Sequence, residues 1–191
     1  MPSQLFNSNP SSLSRALNTL ALLGISGVLG MAFLDQLVEH ELPCPLCLLQ
    51  RVAFVMVGMG FLLNIRFGPS GLHYGIVLLS AAGGAIASAR QVLLHIAPGD
   101  AGYGAPFLGM HYYTWAFVLF CAIIVFVALM LMLDRRATDQ GTALSANGFA
   151  NFVMWLFFLL VAGNVVSTLL ECGFGPCEDN PVKYLWLSQL G

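Results

Sequence analysis

The sequence predicts an all-α integral membrane protein, a bundle of five transmembrane helices, and three observations predict it. Of the 191 residues, 58% are hydrophobic and only 8% charged, against roughly 25% charged in an ordinary soluble domain. Five stretches are each long and apolar enough to cross a bilayer, which takes about 20 residues of helix. The linkers between them are short, so residues 1–191 read as a single membrane domain without internal repeats or low-complexity blocks. The seven Lys and Arg residues are dispersed along the chain, which excludes the basic patch of a nucleic-acid-binding surface.

The first helix is expected over about residues 16–37. Its polar start, with Arg15, looks like a secretory leader, but the uncharged run is too long and lacks a small-x-small cleavage site. The second is expected over 45–65, opening on Pro45, and the third over 72–96. The fourth spans 113–133, with Tyr112, Tyr113 and Trp115 suited to an interfacial aromatic belt. The fifth spans 149–170, where Asn151 and Asn164 are expected to make interhelical hydrogen bonds. A tail, 171–191, follows.

Cytoplasmic loops carry the Lys/Arg excess. Arg15, Arg66, Arg135 and Arg136 all fall on one side of a five-span chain, which places the N-terminus in the cytoplasm and the C-terminus outside. The outer side receives Glu39-His40-Glu41, the Asp100 loop, and a tail with Glu171, Glu178, Asp179 and a lone cation, Lys183. Asp35 closes helix 1 on that side as a helix-end polar group.

Four of the five cysteines share the outer side: Cys44 and Cys47 before and within helix 2, Cys172 and Cys177 in the tail. Cys121, inside helix 4, reads as a small apolar packing residue. Outside the cytoplasm the redox environment favours disulfides. Pro45 suits the first position of a helix, which puts Cys44 at its N-terminus, where backbone N–H groups stabilise a thiolate. The pattern therefore reads as a redox dithiol/disulfide. It is equally half of a zinc site, and the four outer cysteines together would make the zinc site of a structural membrane protein.

Arg51 counts against zinc, because a cation disfavours a neighbouring divalent metal. It stands four residues after Cys47 and seven after Cys44, on the same helix face. Arg90 interrupts helix 3 near its outer end. A cation in the hydrocarbon is costly and marks a functional site by default, the plainer reading being a side chain that snorkels to the headgroups.

Cys44-Pro-Leu-Cys47-Leu-Leu-Gln-Arg51 resembles the signature of the disulfide-bond-formation protein B (DsbB) family, bacterial inner-membrane thiol oxidases that pass electrons from a periplasmic dithiol protein to quinone. Ser88-Ala89-Arg90-Gln91 is similar to a second family element, and residues of about 15–135 match the family's four-helix bundle in order and spacing. The resemblance implies that Cys44 and Cys47 are the membrane-proximal redox pair, with Cys47 facing a quinone. It implies further that Arg51 binds that quinone, assisted by Arg90, and that His95 contacts it. The implied cofactor is ubiquinone or menaquinone, the implied partner a periplasmic thioredoxin-like dithiol protein (DsbA-like), the implied location the inner membrane; no metal is implied.

The chain departs from the family in two places. The helix 3–4 loop, 98–111, where the family carries its second cysteine pair, contains none. Its glycines and apolar residues read either as a cover for the quinone pocket or as an ordinary connection. A fifth helix instead leads to Cys172 and Cys177, which either relay electrons to Cys44 and Cys47 or staple the tail. Residues 182–190 are amphipathic, with Tyr184 and Trp186 suited to the headgroup layer.

Overall fold

The computed structural model describes residues 10–38, 42–134, 147–179 and 181–186. Among the described residues five helices make up the fold: α1 Pro10–Val38, α2 Pro45–Phe67, α3 Gly71–Leu94, α4 Tyr112–Asp134 and α5 Gly148–Cys172. All five are long and apolar enough to cross a membrane. Glu39-His40-Glu41, Arg135, Arg136 and the last tail residues, 187–191, lie outside the described residues.

Local chemistry sets the helix ends. Pro45 occupies the first turn of α2, and the Cys44 sulfur caps it by accepting from the Cys47 N–H at 3.2 Å. Ser70 and Asn147 cap α3 and α5 in the same manner, through Leu72 N–H and Ala150 N–H, each satisfying a donor the helix leaves open. Two ends differ from expectation. α1 starts not near residue 16 but at Pro10, a residue that suits the first turn of a helix. α5 runs on to Cys172, so Glu171 and Cys172 are helical rather than part of the tail. Gly173 stops it there at φ 63°, with its N–H bonded to the Leu169 carbonyl at 2.8 Å, a left-handed conformation glycine adopts without cost.

Helices α1 to α4 pack as a bundle in which neighbours in sequence are neighbours in space, and α5 docks against α1 and, less extensively, α2. The core between them is built from Leu22, Ile25, Val57, Phe61, Val77, Phe120 and Phe157, all at or near zero exposure. Phe54 and Phe120 stack face to face at 4.1 Å. The outward faces are as apolar as the core: Leu79, Ile86, Met132 and Leu159 are each more than two-thirds exposed. Water would not tolerate such a surface and lipid does, so the apolar exterior fits a bilayer. Cys121 belongs to that exterior. It is exposed on α4 rather than packed between helices as expected, because the α4 core positions are Ala116, Phe120 and Val127.

Glycines set the helix separations. A Cβ on Gly58 would strike the Phe157 ring of α5, and one on Gly84 would strike Phe120 of α4. Away from the cysteines the bundle is tied by a polar cluster. Asn18 donates to the Tyr74 hydroxyl at 2.9 Å, Tyr74 donates to Asp134 at 2.7 Å, and Asn64 donates to Asn18 at 3.0 Å. Asn164 makes the interhelical bond its position suggests, whereas Asn151 is exposed on the first turn of α5.

Gly60 and Gly75 offer contrasting tests. A Cβ at Gly60 would meet Val77 and the His73 carbonyl, at Gly75 nothing within 4 Å. Gly60→Ala should lower stability by about 1–3 kcal/mol through overpacking. Gly75→Ala should be neutral or stabilising by up to about 1 kcal/mol through helix propensity. Thermal unfolding of both variants in detergent checks the opposite signs.

Candidate functional site

The site grows from the first turn of α2. Cys44 and Cys47 form a disulfide with a Cα–Cα separation of 5.0 Å, and Cys44 is buried. Gln91 of α3 reaches both sulfurs, its amide nitrogen 3.4 Å from Cys44 Sγ and 3.5 Å from Cys47 Sγ. Its oxygen accepts from Gln50 at 2.7 Å, which fixes the amide with its donors toward sulfur.

Beside this disulfide lies a cavity of about 420 Å³ between α1, α2 and α4. Cys47 is on its wall and Cys44 is not. The α1 wall is low, with Gly24 and Gly27, and the opposite wall is aromatic, with Phe54, Tyr113 and Trp115. Tyr103 and Phe107 of the 98–111 loop close the cysteine end. That loop is tied down: the Tyr103 hydroxyl donates to the Leu42 carbonyl at 2.6 Å, and Trp115 Nε1 donates to the Phe107 carbonyl at 3.0 Å. The loop thus covers the cavity rather than merely joining two helices.

Arg51 enters the cavity wall from α2. Its guanidinium donates to the Ala32 carbonyl at 2.9 Å, Gln36 Oε1 at 2.8 Å and Asn164 Oδ1 at 3.3 Å. All three of these acceptors are neutral dipoles that solvate the cation. Gln36 continues the chain of contacts, donating to Ser167 at 2.8 Å and to the Tyr184 hydroxyl of the tail at 3.0 Å. Asp35 also lines the cavity, and it, Glu171 and Tyr184 lie within Coulombic reach of Arg51.

Cys172 and Cys177 form the second disulfide, Cα–Cα 4.7 Å, with Cys172 buried and Cys177 partly exposed. Phe174, at the tip of the intervening loop, is 90% exposed and meets the Trp186 ring at 5.6 Å.

Of the residues expected at the site, Cys44, Cys47 and Arg51 come together. Arg90 is exposed on α3, outside the cavity wall. His95 also stands outside it, bonded to Asp100 at 3.1 Å and stacked on Tyr113, which does line the cavity. The Gly102 N–H and His95 hold the Asp100 carboxyl below the usual carboxylate range. His95 thus ties the 98–111 loop to the end of α3 through Asp100.

Fold and site define a helical membrane protein with a Cys-x-x-Cys disulfide on the wall of an apolar, arginine-bearing cavity. Residues 14–104 match the family model described as "Disulfide bond formation protein DsbB", so over this segment, a little under half of its length, the chain is similar to that family. Relatives named Disulfide bond formation protein B include one from Nitrosomonas eutropha, 36% identical over 84 residues (42% of this chain, 52% of the relative). One from Marinobacter nauticus is 41% identical over 91 residues (46% of this chain, 54% of the relative). The chain thus spans about half the length of the curated relatives it matches, and α4, α5 and the tail lie beyond the family match. No solved structure matches the chain.

Gln91 is the site residue that motif reading passes over in favour of its neighbour Arg90. A signal for it exists: the buried positions of α3 are Tyr74, Val77, Ala81, Gly84, Ser88 and Gln91, a three-and-four alternation that puts 91 inside and 90 outside. An amide donor favours a thiolate over a disulfide sulfur, because charge-assisted hydrogen bonds are the stronger. Gln91→Leu should therefore lower the midpoint potential of Cys44–Cys47, read by equilibration with dithiol buffers. It should also destabilise the fold by about 1–3 kcal/mol, by leaving the Gln50 donor unpaired.

Proposed function

We propose that the protein is a membrane thiol:quinone oxidoreductase that reoxidises a thioredoxin-like dithiol protein and so supports disulfide bond formation. One observation carries the reading: a Cys-x-x-Cys disulfide at a helix N-terminus shares a covered apolar cavity with an arginine held by neutral hydrogen-bond acceptors. The cavity fits a quinone headgroup. Its walls are aromatic and aliphatic, and the fork of Arg51 donors, three of which are engaged by protein acceptors, can still reach a carbonyl oxygen. Bound there, a quinone of the ubiquinone or menaquinone type supplies two-electron, two-proton acceptor chemistry.

The protein's own residues then divide the work. Cys47, on the cavity wall, is the sulfur that faces the acceptor, and Cys44 is the buried partner that re-forms the disulfide. Gln91 and the N-terminus of α2 favour the Cys47 thiolate, Arg51 orients the acceptor and favours negative charge on it, and the 98–111 loop excludes water. Arg90 and His95 act at a distance, His95 through the latch on Asp100 that holds the loop closed.

On the donor side, Cys177 is the more accessible sulfur of the tail pair and the expected point of attack by a reduced partner, since exchange requires an accessible sulfur. Electrons then pass by thiol–disulfide exchange to Cys44–Cys47. Gln36 ties Tyr184 of the tail to the bundle end that carries Arg51, which keeps the tail on the side of Cys44 and Cys47. The charge distribution favours an inner-membrane protein with its N-terminus cytoplasmic and both cysteine pairs on the periplasmic side.

Mixing the purified protein with quinone and a reduced thioredoxin-like protein, and following quinone absorbance, tests the reading. Cys47→Ser should abolish quinone reduction, and a parent protein that reduces none would sink the proposal. Arg51→Lys should raise the apparent KM for quinone roughly tenfold or more, the equivalent of about 1.4 kcal/mol or more, because an ammonium cannot hold the same acceptors as a planar fork. The tail is tested separately. Cys177→Ser should stop oxidation of the protein substrate while a small-molecule dithiol still reduces Cys44–Cys47. Substrate oxidation at the parent rate would make the tail pair a structural staple.

A further inference from the structure

Polar groups on the wall of the cavity are few, and nearly all are engaged by the protein. The Tyr103 hydroxyl donates to the Leu42 carbonyl, Trp115 Nε1 to the Phe107 carbonyl, and the Gln50 amide to Gln91. Arg51 donates to its three acceptors, and Asp35 and Tyr112 have partners as well. Tyr113 is the exception. It shares the cavity wall with Cys47 and Arg51 and is only 6% exposed, yet its hydroxyl makes no hydrogen bond among the described residues. A buried tyrosine ordinarily finds a partner for its hydroxyl. One that lacks it on the wall of a cavity points to an acceptor inside that cavity.

The Tyr113 ring is also held in place. It belongs to the second residue of α4, next to the loop that closes the cysteine end. The His111 ring stacks on it at 5.2 Å between centroids, with planes 6° apart, and the His95 ring at 5.6 Å and 30°. His111 Nδ1 is bonded to the Gly104 carbonyl at 3.1 Å. His95 Nδ1 is bonded to Asp100 Oδ1, which also accepts from the Gly102 N–H at 2.8 Å. Gly102 in turn lies directly on His111: a Cβ there would strike the imidazole, and its φ of 71° favours glycine. Two imidazoles, a carboxylate and a glycine thus form a closed set of contacts around one phenol ring. A donor fixed in this way loses little freedom when a ligand arrives.

We propose that Tyr113 is a ligand-binding residue of the redox site, whose hydroxyl donates a hydrogen bond to a carbonyl oxygen of the quinone as a second donor beside Arg51. A quinone presents carbonyl oxygens to be held, and Arg51 from α2 and Tyr113 from α4 line one cavity from different helices. The phenol gains strength as a donor when negative charge builds on the oxygen it holds, because a hydrogen bond to a charged acceptor is about twice as strong as one to a neutral acceptor. It therefore favours the acceptor with added electrons over the acceptor without them, the direction that draws electrons from Cys47. The tyrosine keeps its proton and is itself neither oxidised nor reduced. Because Tyr113 lies beyond residue 104, the helix that follows the family match contributes to the chemistry of the helices within it.

This role rests on the quinone reading of the cavity, and one experiment tells the two apart. Full-length oxidised protein in detergent is titrated with a short-chain ubiquinone whose carbonyl carbons carry an isotope label. Tryptophan fluorescence reads the affinity, with Trp115 on the cavity wall as reporter, and infrared difference spectroscopy reads the labelled carbonyl stretches. Bound to the parent protein, the quinone should show a carbonyl stretch below that of free quinone. Tyr113→Phe, which removes a single oxygen, should return a carbonyl band toward its free frequency and weaken binding about three- to tenfold. Without quinone it should unfold at the parent temperature, since the hydroxyl has no protein partner to lose. The role of Tyr113 is overturned, with the quinone reading intact, if the parent binds quinone and Tyr113→Phe leaves the bands where they are. A lowered unfolding temperature without quinone also counts against it, as the mark of a protein partner for the hydroxyl. A parent protein that binds no quinone overturns both readings.

Discussion

A guanidinium set inside an apolar helical bundle is the constraint around which the rest of this protein is arranged. Left alone in hydrocarbon, Arg51 would cost several kcal/mol, so the surrounding helices are required to supply dipoles. They do so from three places: the α1 backbone at Ala32, the α1 side chain Gln36, and Asn164 of α5. These neutral acceptors solvate the cation, and the carboxyl groups of Asp35 and Glu171 lie within its Coulombic reach.

That requirement explains features which look unrelated along the chain. Polar residues are scarce in these helices, yet Gln36, Gln50, Gln91 and Asn164 are all buried at the cysteine end. Gln36 and Asn164 serve the arginine, while Gln50 and Gln91 serve the disulfide, and the two sets meet across the first two turns of α2. The 98–111 loop lines the same cavity through Tyr103, Gly104 and Phe107. It is held by local bonds of its own, Tyr103 to Leu42 and His95 to Asp100, and so needs no disulfide to remain over the cavity. The second disulfide sits instead at the end of α5, and the tail that follows it returns to Gln36 through Tyr184.

The fifth helix is consequently more than an addition to a four-helix design. Its polar face completes the shell of Arg51, and its last turn brings Glu171 and Cys172 to the same end of the bundle as Cys44 and Cys47. The segment shared with the family and the distinctive part of this chain meet in one set of side chains.

The sequence by itself determined the helix count, the approximate spans and the grouping of Cys44, Cys47 and Arg51, because these follow from short-range rules. Hydrophobic length marks a membrane helix, and residues four and seven apart share a helix face. Helix ends were legible to within a few residues where Pro45 marked them, and less so at α1 and α5, where no strong breaker falls at the apolar boundary. What only the tertiary structure decided are the contacts between helices. Arg90 and Gln91 are adjacent, and which one faces the disulfide depends on the rotation of α3 about its axis against α2. The surroundings of His95 and Cys121 were hidden for the same reason: a neighbouring loop sets the one and the rotation of α4 sets the other. The cavity and the neutral cage of Arg51 each combine residues far apart in the chain, such as Ala32, Arg51 and Asn164. Their meeting is fixed by how five apolar rods pack together, which no local pattern encodes.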